Sequence, residues 1–217
     1  MLPFAASANT AQTWKFTDTA YTGTKVGNAG GWCDGQCDNV MYKEPTLGDI
    51  TWVDLYPGEE AYWYAENPAQ FDVSFGENAW TAHIWYDITV GGSSILSAAV
   101  YSMDSFGTAT CLAWGTQAIS DPGSPPTTVD ITMTDYAGSQ DIPSGERLVF
   151  QIENLGADTT VTVYWNSSSR LSYIQSPATD PGYPVPELLT IVLLATGLVG
   201  LAVYFGLKRR KRVIVKA

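Results

Sequence analysis

Apolar and polar residues alternate with a period of two in short blocks along most of the chain. The clearest block is Trp80–Val90, where Ala82, Ile84, Tyr86, Ile88 and Val90 share one face and Thr81, His83, Trp85, Asp87 and Thr89 the other. That period is the signature of a strand with one buried side. Similar blocks occur at Ile50–Leu55, Glu60–Ala65, Phe71–Phe75, Ile95–Ser102, Ala109–Ile119, Thr127–Met133, Arg147–Glu153 and Thr159–Trp165. Gly91-Gly92, Asp121-Pro122-Gly123, Pro125-Pro126 and Pro143-Ser144-Gly145 separate several of them, as turns require. Strands at this spacing predict an all-β domain, an antiparallel β-sandwich of the jelly-roll kind, over residues 12–175. The stretch Gly23–Leu47 interrupts the pattern and reads as a long loop.

The pattern changes near the C-terminus. Ser176–Glu187 holds four prolines and one glycine and predicts an extended spacer. Leu188–Leu207 is 20 residues without a charge, twelve of them Leu, Ile, Val or Phe. That length matches a helix crossing a bilayer core of about 30 Å. Residues 208–217 form a basic tail in which Lys208, Arg209, Arg210, Lys211 and Arg212 abut the span. Such clusters stay cytoplasmic, so the domain before the span is expected outside the cell and the C-terminus inside. Export implies a signal peptide, and residues 1–11 read as its remnant or as a disordered start, with Ala6-Ser7-Ala8 resembling a cleavage site.

Charge divides along the same line. Residues 1–187 hold all 22 acidic residues and five of the 11 basic ones, a formal −17, against +6 in the last ten. An acidic domain is repelled by nucleic acid, whose binding rests on Lys and Arg contacts, so that class of partner is excluded. The expected partners are membrane lipid around the helix and glycans or neighbouring surface proteins around the domain.

Candidate chemistry is sparse. Cys33 and Cys37 flank Asp-Gly-Gln, and on an oxidising surface two thiols this close predict a disulfide. Asp34, Asp38 and Asn39 in the same stretch are a candidate calcium set; the spacing does not match an EF-hand, and no other cofactor is expected. A structural zinc would need two further ligands, and no metal site is assigned. Cys111 alternates with apolar neighbours and reads as a small buried hydrophobe. His83 is the sole histidine and reads as an outer-face residue, and no G-x-S-x-G nucleophile turn exists. Glu59 and Glu60 are adjacent, so on a strand they point apart and cannot flank one glycosidic bond. The eight tryptophans and twelve tyrosines carry more weight. Trp63 and Trp85 are candidates for an outward ligand platform. Asn166-Ser167-Ser168 is an N-glycosylation acceptor pattern.

The C-terminal layout of Pro186-Glu187-Leu188, an apolar span and Lys208–Arg212 resembles the archaeal PEF-CTERM sorting tail, with Leu188 where Phe is typical. The resemblance implies recognition by an archaeosortase-like processing enzyme. Ile142–Asn154 looks like the late strand of jelly-roll, galactose-binding-like modules. The expectation is therefore a non-enzymatic, membrane-anchored cell-surface protein whose β-sandwich serves adhesion, coating or ligand binding. A displayed carbohydrate-binding module and a surface hydrolase are the alternatives.

Overall fold

A computed structural model describes residues 11–27, 38–75, 79–88, 92–135 and 141–177. Contacts divide the chain into Met1–Tyr183 and Pro184–Ala217, and all described residues belong to the first unit. Among them there is no helix. The strands are β1 (Thr13–Ala20), β2 (Asp38–Tyr42), β3 (Thr51–Leu55), β4 (Glu60–Ala65), β5 (Val73–Ser74), β6 (Trp80–Ile88), β7 (Ser93–Met103), β8 (Ala109–Ser120), β9 (Thr127–Asp135), β10 (Asp141–Ile142), β11 (Arg147–Asn154), β12 (Val161–Trp165) and β13 (Tyr173–Gln175).

Alternation sets the inside and the outside of the sheet. On β6, Trp80, Ala82, Ile84, Tyr86 and Ile88 are buried while Thr81, His83, Trp85 and Asp87 are only partly covered. Leu148, Phe150 and Ile152 on β11, and Val161, Val163 and Trp165 on β12, point the same way inward. The interior is dense in rings. Trp63 stacks on Phe16 at 4.4 Å and meets Trp165 edge to face at 5.2 Å, and Phe75 lies 4.7 Å from Trp80. The short ribbon β5–β10 adds Val73 and Ile142 to the same core.

The ladder closes on itself. Its order is β13-β1-β2-β4-β11-β7-β8-β9-β6, and β6 pairs back to β13, giving a barrel-like ring of nine strands. The expected two-sheet jelly roll is replaced by this ring because the three-residue β13 bridges β1 and β6. All pairs are antiparallel except β2–β4. One glycine is fixed by this packing. A Cβ on Gly115 of β8 would come within 2.1 Å of the Thr132 carbonyl oxygen on β9, so only glycine lets these strands approach.

β6 shares one of its edges between two partners. Thr81–His83 pair with β13, and Trp85–Ile88 pair with β12. β12 carries β3 on its far side, outside the ring. Ser172 sits where one partner gives way to the other. Its hydroxyl accepts from the Trp85 N–H at 2.9 Å and donates to the Tyr164 carbonyl at 2.6 Å. The buried backbone groups at that junction are thereby satisfied.

Candidate functional site

The outer face of β3–β12–β6 carries a row of three rings. Tyr164 is the cross-strand partner of Trp52 on one side and of Trp85 on the other. Trp52 is 55% exposed, and Tyr164 and Trp85 are partly exposed. The Arg170 guanidinium lies 4.7 Å from the centre of the Tyr164 ring. The middle of the row thus offers N–H donors as well as a ring.

The next row along the same strands is polar. Asp54, Thr162 and Asp87 are cross-strand partners in the same register. The Thr162 hydroxyl donates to Asp54 at 2.6 Å. Beyond that row opens a cleft of about 550 Å³, lined by Asp54, Asp87, Asp121, Ser124, Thr160 and Thr162 with nearby backbone. The Tyr164 phenol is raised above its ordinary range, by burial first and then by Asp87, with Arg170 opposing and Asp54 adding.

A second aromatic group lies on the outer face of β4, β11 and β7, and it is roofed. Tyr21 stacks on Tyr64 at 4.0 Å, nearly parallel, and the Arg147 guanidinium lies 5.3 Å from the Tyr21 ring centre. Tyr62, Tyr64, Met103 and Val149 are buried beneath Tyr21, Val26 and Tyr101. Tyr64 donates to Asp38 at 3.0 Å, Tyr62 donates to Glu60, and Tyr101 donates to Gln151 at 2.6 Å. The roof is held by the Lys25–Asp38 ion pair and by the Gly27 N–H on the Gly107 carbonyl at 2.9 Å. Glu60 and Glu153 face each other across β4 and β11. Burial, then Glu60, raises the Glu153 carboxyl.

The expected site residues fall differently. Trp85 lies in the exposed row, as an outward ring should. Trp63 does not: it is fully buried among Phe16, Phe150 and Trp165, and offers no face to a ligand. Its neighbours Tyr62 and Tyr64 take the outer side of β4 instead, under the roof. Asn166 is only 2% exposed and has a left-handed backbone, with its carbonyl accepting from Gly48. A glycan has no exit from that position, so the acceptor pattern marks a buried turn. Asp38 and Asn39 do not converge on an ion. Asp38 is engaged by Lys25 and Tyr64, and Asn39 is buried as the next residue of a strand, where neighbours point to opposite sides. Among the described residues no three His, Cys, Asp or Glu side chains form a metal-holding group. Asp34, Cys33, Cys37, the motif Pro186-Glu187-Leu188, the span 188–207 and the cluster Lys208–Arg212 lie outside the described residues.

His83 hydrogen-bonds Asp130 through Nδ1 at 2.7 Å and stacks on Tyr173 at 4.9 Å. The Cys111 thiol is pushed up to about 11 by burial, which keeps it protonated and unreactive near neutrality. Trp52 and Tyr164 are the members of the row that sequence patterning missed. Each sits on the polar side of a recognised alternating block, and that was the available signal.

No family model matches the chain. No curated protein matches its sequence. Its fold resembles parts of several hydrolases of known structure. An α-amino acid ester hydrolase matches with TM-score 0.55 and 8% identity over 77% of this chain and 36% of that one. A CocE/NonD family hydrolase from Staphylococcus aureus matches with TM-score 0.53 and 8% identity over 77% and 36%. An aminopeptidase from a marine sediment Thaumarchaeota archaeon matches with TM-score 0.51 and 10% identity over 76% and 36%. The chain thus spans about a third of the length of these enzymes. At such identities the likeness is one of fold.

Proposed function

We propose that this chain is a non-enzymatic, membrane-anchored cell-surface protein whose β-domain recognises a ligand through the Trp52–Tyr164–Trp85 face. The observation that carries the reading is a row of three rings in register, with Trp52 more than half exposed, Trp85 partly exposed and Tyr164 beneath the Arg170 guanidinium, beside a cleft of carboxylates and hydroxyls. Exposed apolar rings grouped on one side of a soluble domain mark a contact surface. The uncharged span 188–207 and the following basic cluster support anchoring, with the domain outside. Their likeness to the PEF-CTERM layout supports handling by an archaeosortase-like enzyme.

The test uses intact cells expressing the full chain. A membrane-impermeant amine reagent and external protease should reach the domain and spare the 208–212 cluster. Attachment of purified chain to cell envelopes should fall when Trp52 and Trp85 are both replaced by alanine. A protected domain with an accessible tail would reverse the topology. Undiminished attachment would remove the platform.

A further inference from the structure

We propose that the Trp52–Tyr164–Trp85 face binds a neutral polysaccharide running across the strands, an assignment that rests on reading this face as the ligand platform. Neighbouring strands lie about 4.8 Å apart, so Trp52 and Trp85, two strand steps apart, are separated by roughly 10 Å. That is the repeat of two linked sugars, so the two indoles can take pyranose rings two apart along one chain. The C–H groups on a pyranose face carry slight positive charge, and they meet the negative face of an aromatic ring.

The surroundings select a hydroxylated ligand over an apolar one. Asp54, Thr162 and Asp87 border the rings in the next row, and Ser124, Thr160 and Asp121 line the cleft beyond. Carboxylates accept hydrogen bonds from sugar hydroxyls, while the Tyr164 hydroxyl and the Arg170 guanidinium donate. An apolar partner laid over the same face would strip water from Asp54 and Asp87 without replacing its hydrogen bonds. Charge selects further. Three aspartates against one arginine at the site, on a segment carrying −17 over residues 1–187, repel uronates, sulfated glycans and nucleic acids. A neutral glycan is the class left with favourable contacts to both rows.

The experiment measures retention of the full chain, in detergent micelles, on immobilised glucan, xylan, mannan and galactan, with polygalacturonate as the acidic comparison. Saturable retention on a neutral polymer is expected, competed by a soluble trisaccharide of the same sugar. The Trp52→Ala/Trp85→Ala variant should lose affinity about ten-fold or more. Trp114→Ala removes a tryptophan of similar exposure from another face and should change affinity less than about two-fold. Asp87→Asn keeps the side chain's shape and should weaken binding without altering the thermal midpoint. If the double variant does not fold, Trp52→Ala alone decides, since that ring is already mostly in solvent.

Three results overturn the assignment: no retention on any neutral polymer, preference for polygalacturonate, or retention indifferent to the two tryptophans. If one of these occurs while the double variant still loses attachment to cell envelopes, the platform stands and its ligand is not a neutral glycan. If envelope attachment is also unchanged, both readings fall together.

Discussion

Two outer faces of the same barrel carry aromatic side chains, and they differ in what lies above them. On β4, β11 and β7 the tyrosines are covered by Tyr21 to Gly27, and their hydroxyls are spent on Glu60, Asp38 and Gln151. On β3, β12 and β6 Trp52 is mostly in solvent, Trp85 and Tyr164 are partly exposed, and the Arg170 guanidinium lies over the Tyr164 ring. Aromatic residues on the outside of a sheet thus serve two purposes here. Under a roof they extend the core, and on the other face they leave Trp52 mostly in solvent.

The contrast is sharpest in stability. Tyr64→Ala should cost roughly 3–5 kcal/mol, as truncation of a fully buried ring does, read from urea midpoints. An effect below about 1 kcal/mol would show that the roof is not part of the core. Gly107→Ala attacks the roof from outside. Gly107 has φ +88°, and an added Cβ would lie 2.3 Å from the Lys25 carbonyl oxygen, so the roofing segment must lift. A loss of about 1–3 kcal/mol is expected, with new proteolysis between residues 21 and 27. Unchanged stability with an unchanged cleavage pattern would contradict the docking of that segment.

On the open face, Ser172→Ala leaves the Trp85 N–H and the Tyr164 carbonyl without their shared partner. About 1–2 kcal/mol should be lost, together with ligand affinity, because the two ring-bearing strands are no longer held in register. Wild-type affinity in this variant would separate the strip from its staple.

Alkaline pH tests the roofed face again. Burial, reinforced by Glu60, raises the Tyr62 phenol far above its ordinary value, and burial with Asp38 does the same for Tyr64. The folded chain keeps protons that the unfolded chain releases near pH 10. The contribution of these phenols is therefore full below about pH 10 and is lost as pH rises toward the folded values. Urea midpoints should fall between pH 9 and 11, about where free tyrosine ionises. Tyr64→Phe should flatten that fall, and an identical slope would count against the buried phenol. The smallest effect belongs to Trp52→Ala. It should leave stability within about 0.5 kcal/mol, since the ring is mostly in solvent; a larger loss would make Trp52 a structural residue.

Alternation made most of the ring legible. The blocks from Ile50 to Trp165 each contain a strand, and the two faces of Trp80–Ile88 fall as the period of two requires. β2 was hidden inside the expected loop because Asn39, Val40 and Met41 are buried in succession and show no alternation. β13 is too short to have a period, yet it closes the ring. Trp63 misled because both faces of β4 are covered, so its alternation with Tyr62 and Tyr64 carried no information about which side meets water. The Asn166 pattern misled because a three-residue motif says nothing of burial. Trp52 and Tyr164 were visible as strand residues, but only the register between β3, β12 and β6 brings them beside Trp85.

The clasp strand β13 also has a mechanical consequence. It ends at Gln175, and Ser176, the first residue of the proline-rich spacer, donates its N–H to the Gln12 carbonyl. Under the proposed anchoring, tension from a ligand on Trp85 travels two residues along β6 to His83. It then crosses to Tyr173 and leaves through the spacer. Most of the ring lies off that line. A pull along the axis of β13 strains its backbone bonds to β1 and β6 together, in shear, instead of opening them one by one. With that anchoring, the load would fall on the shortest strand of the ring.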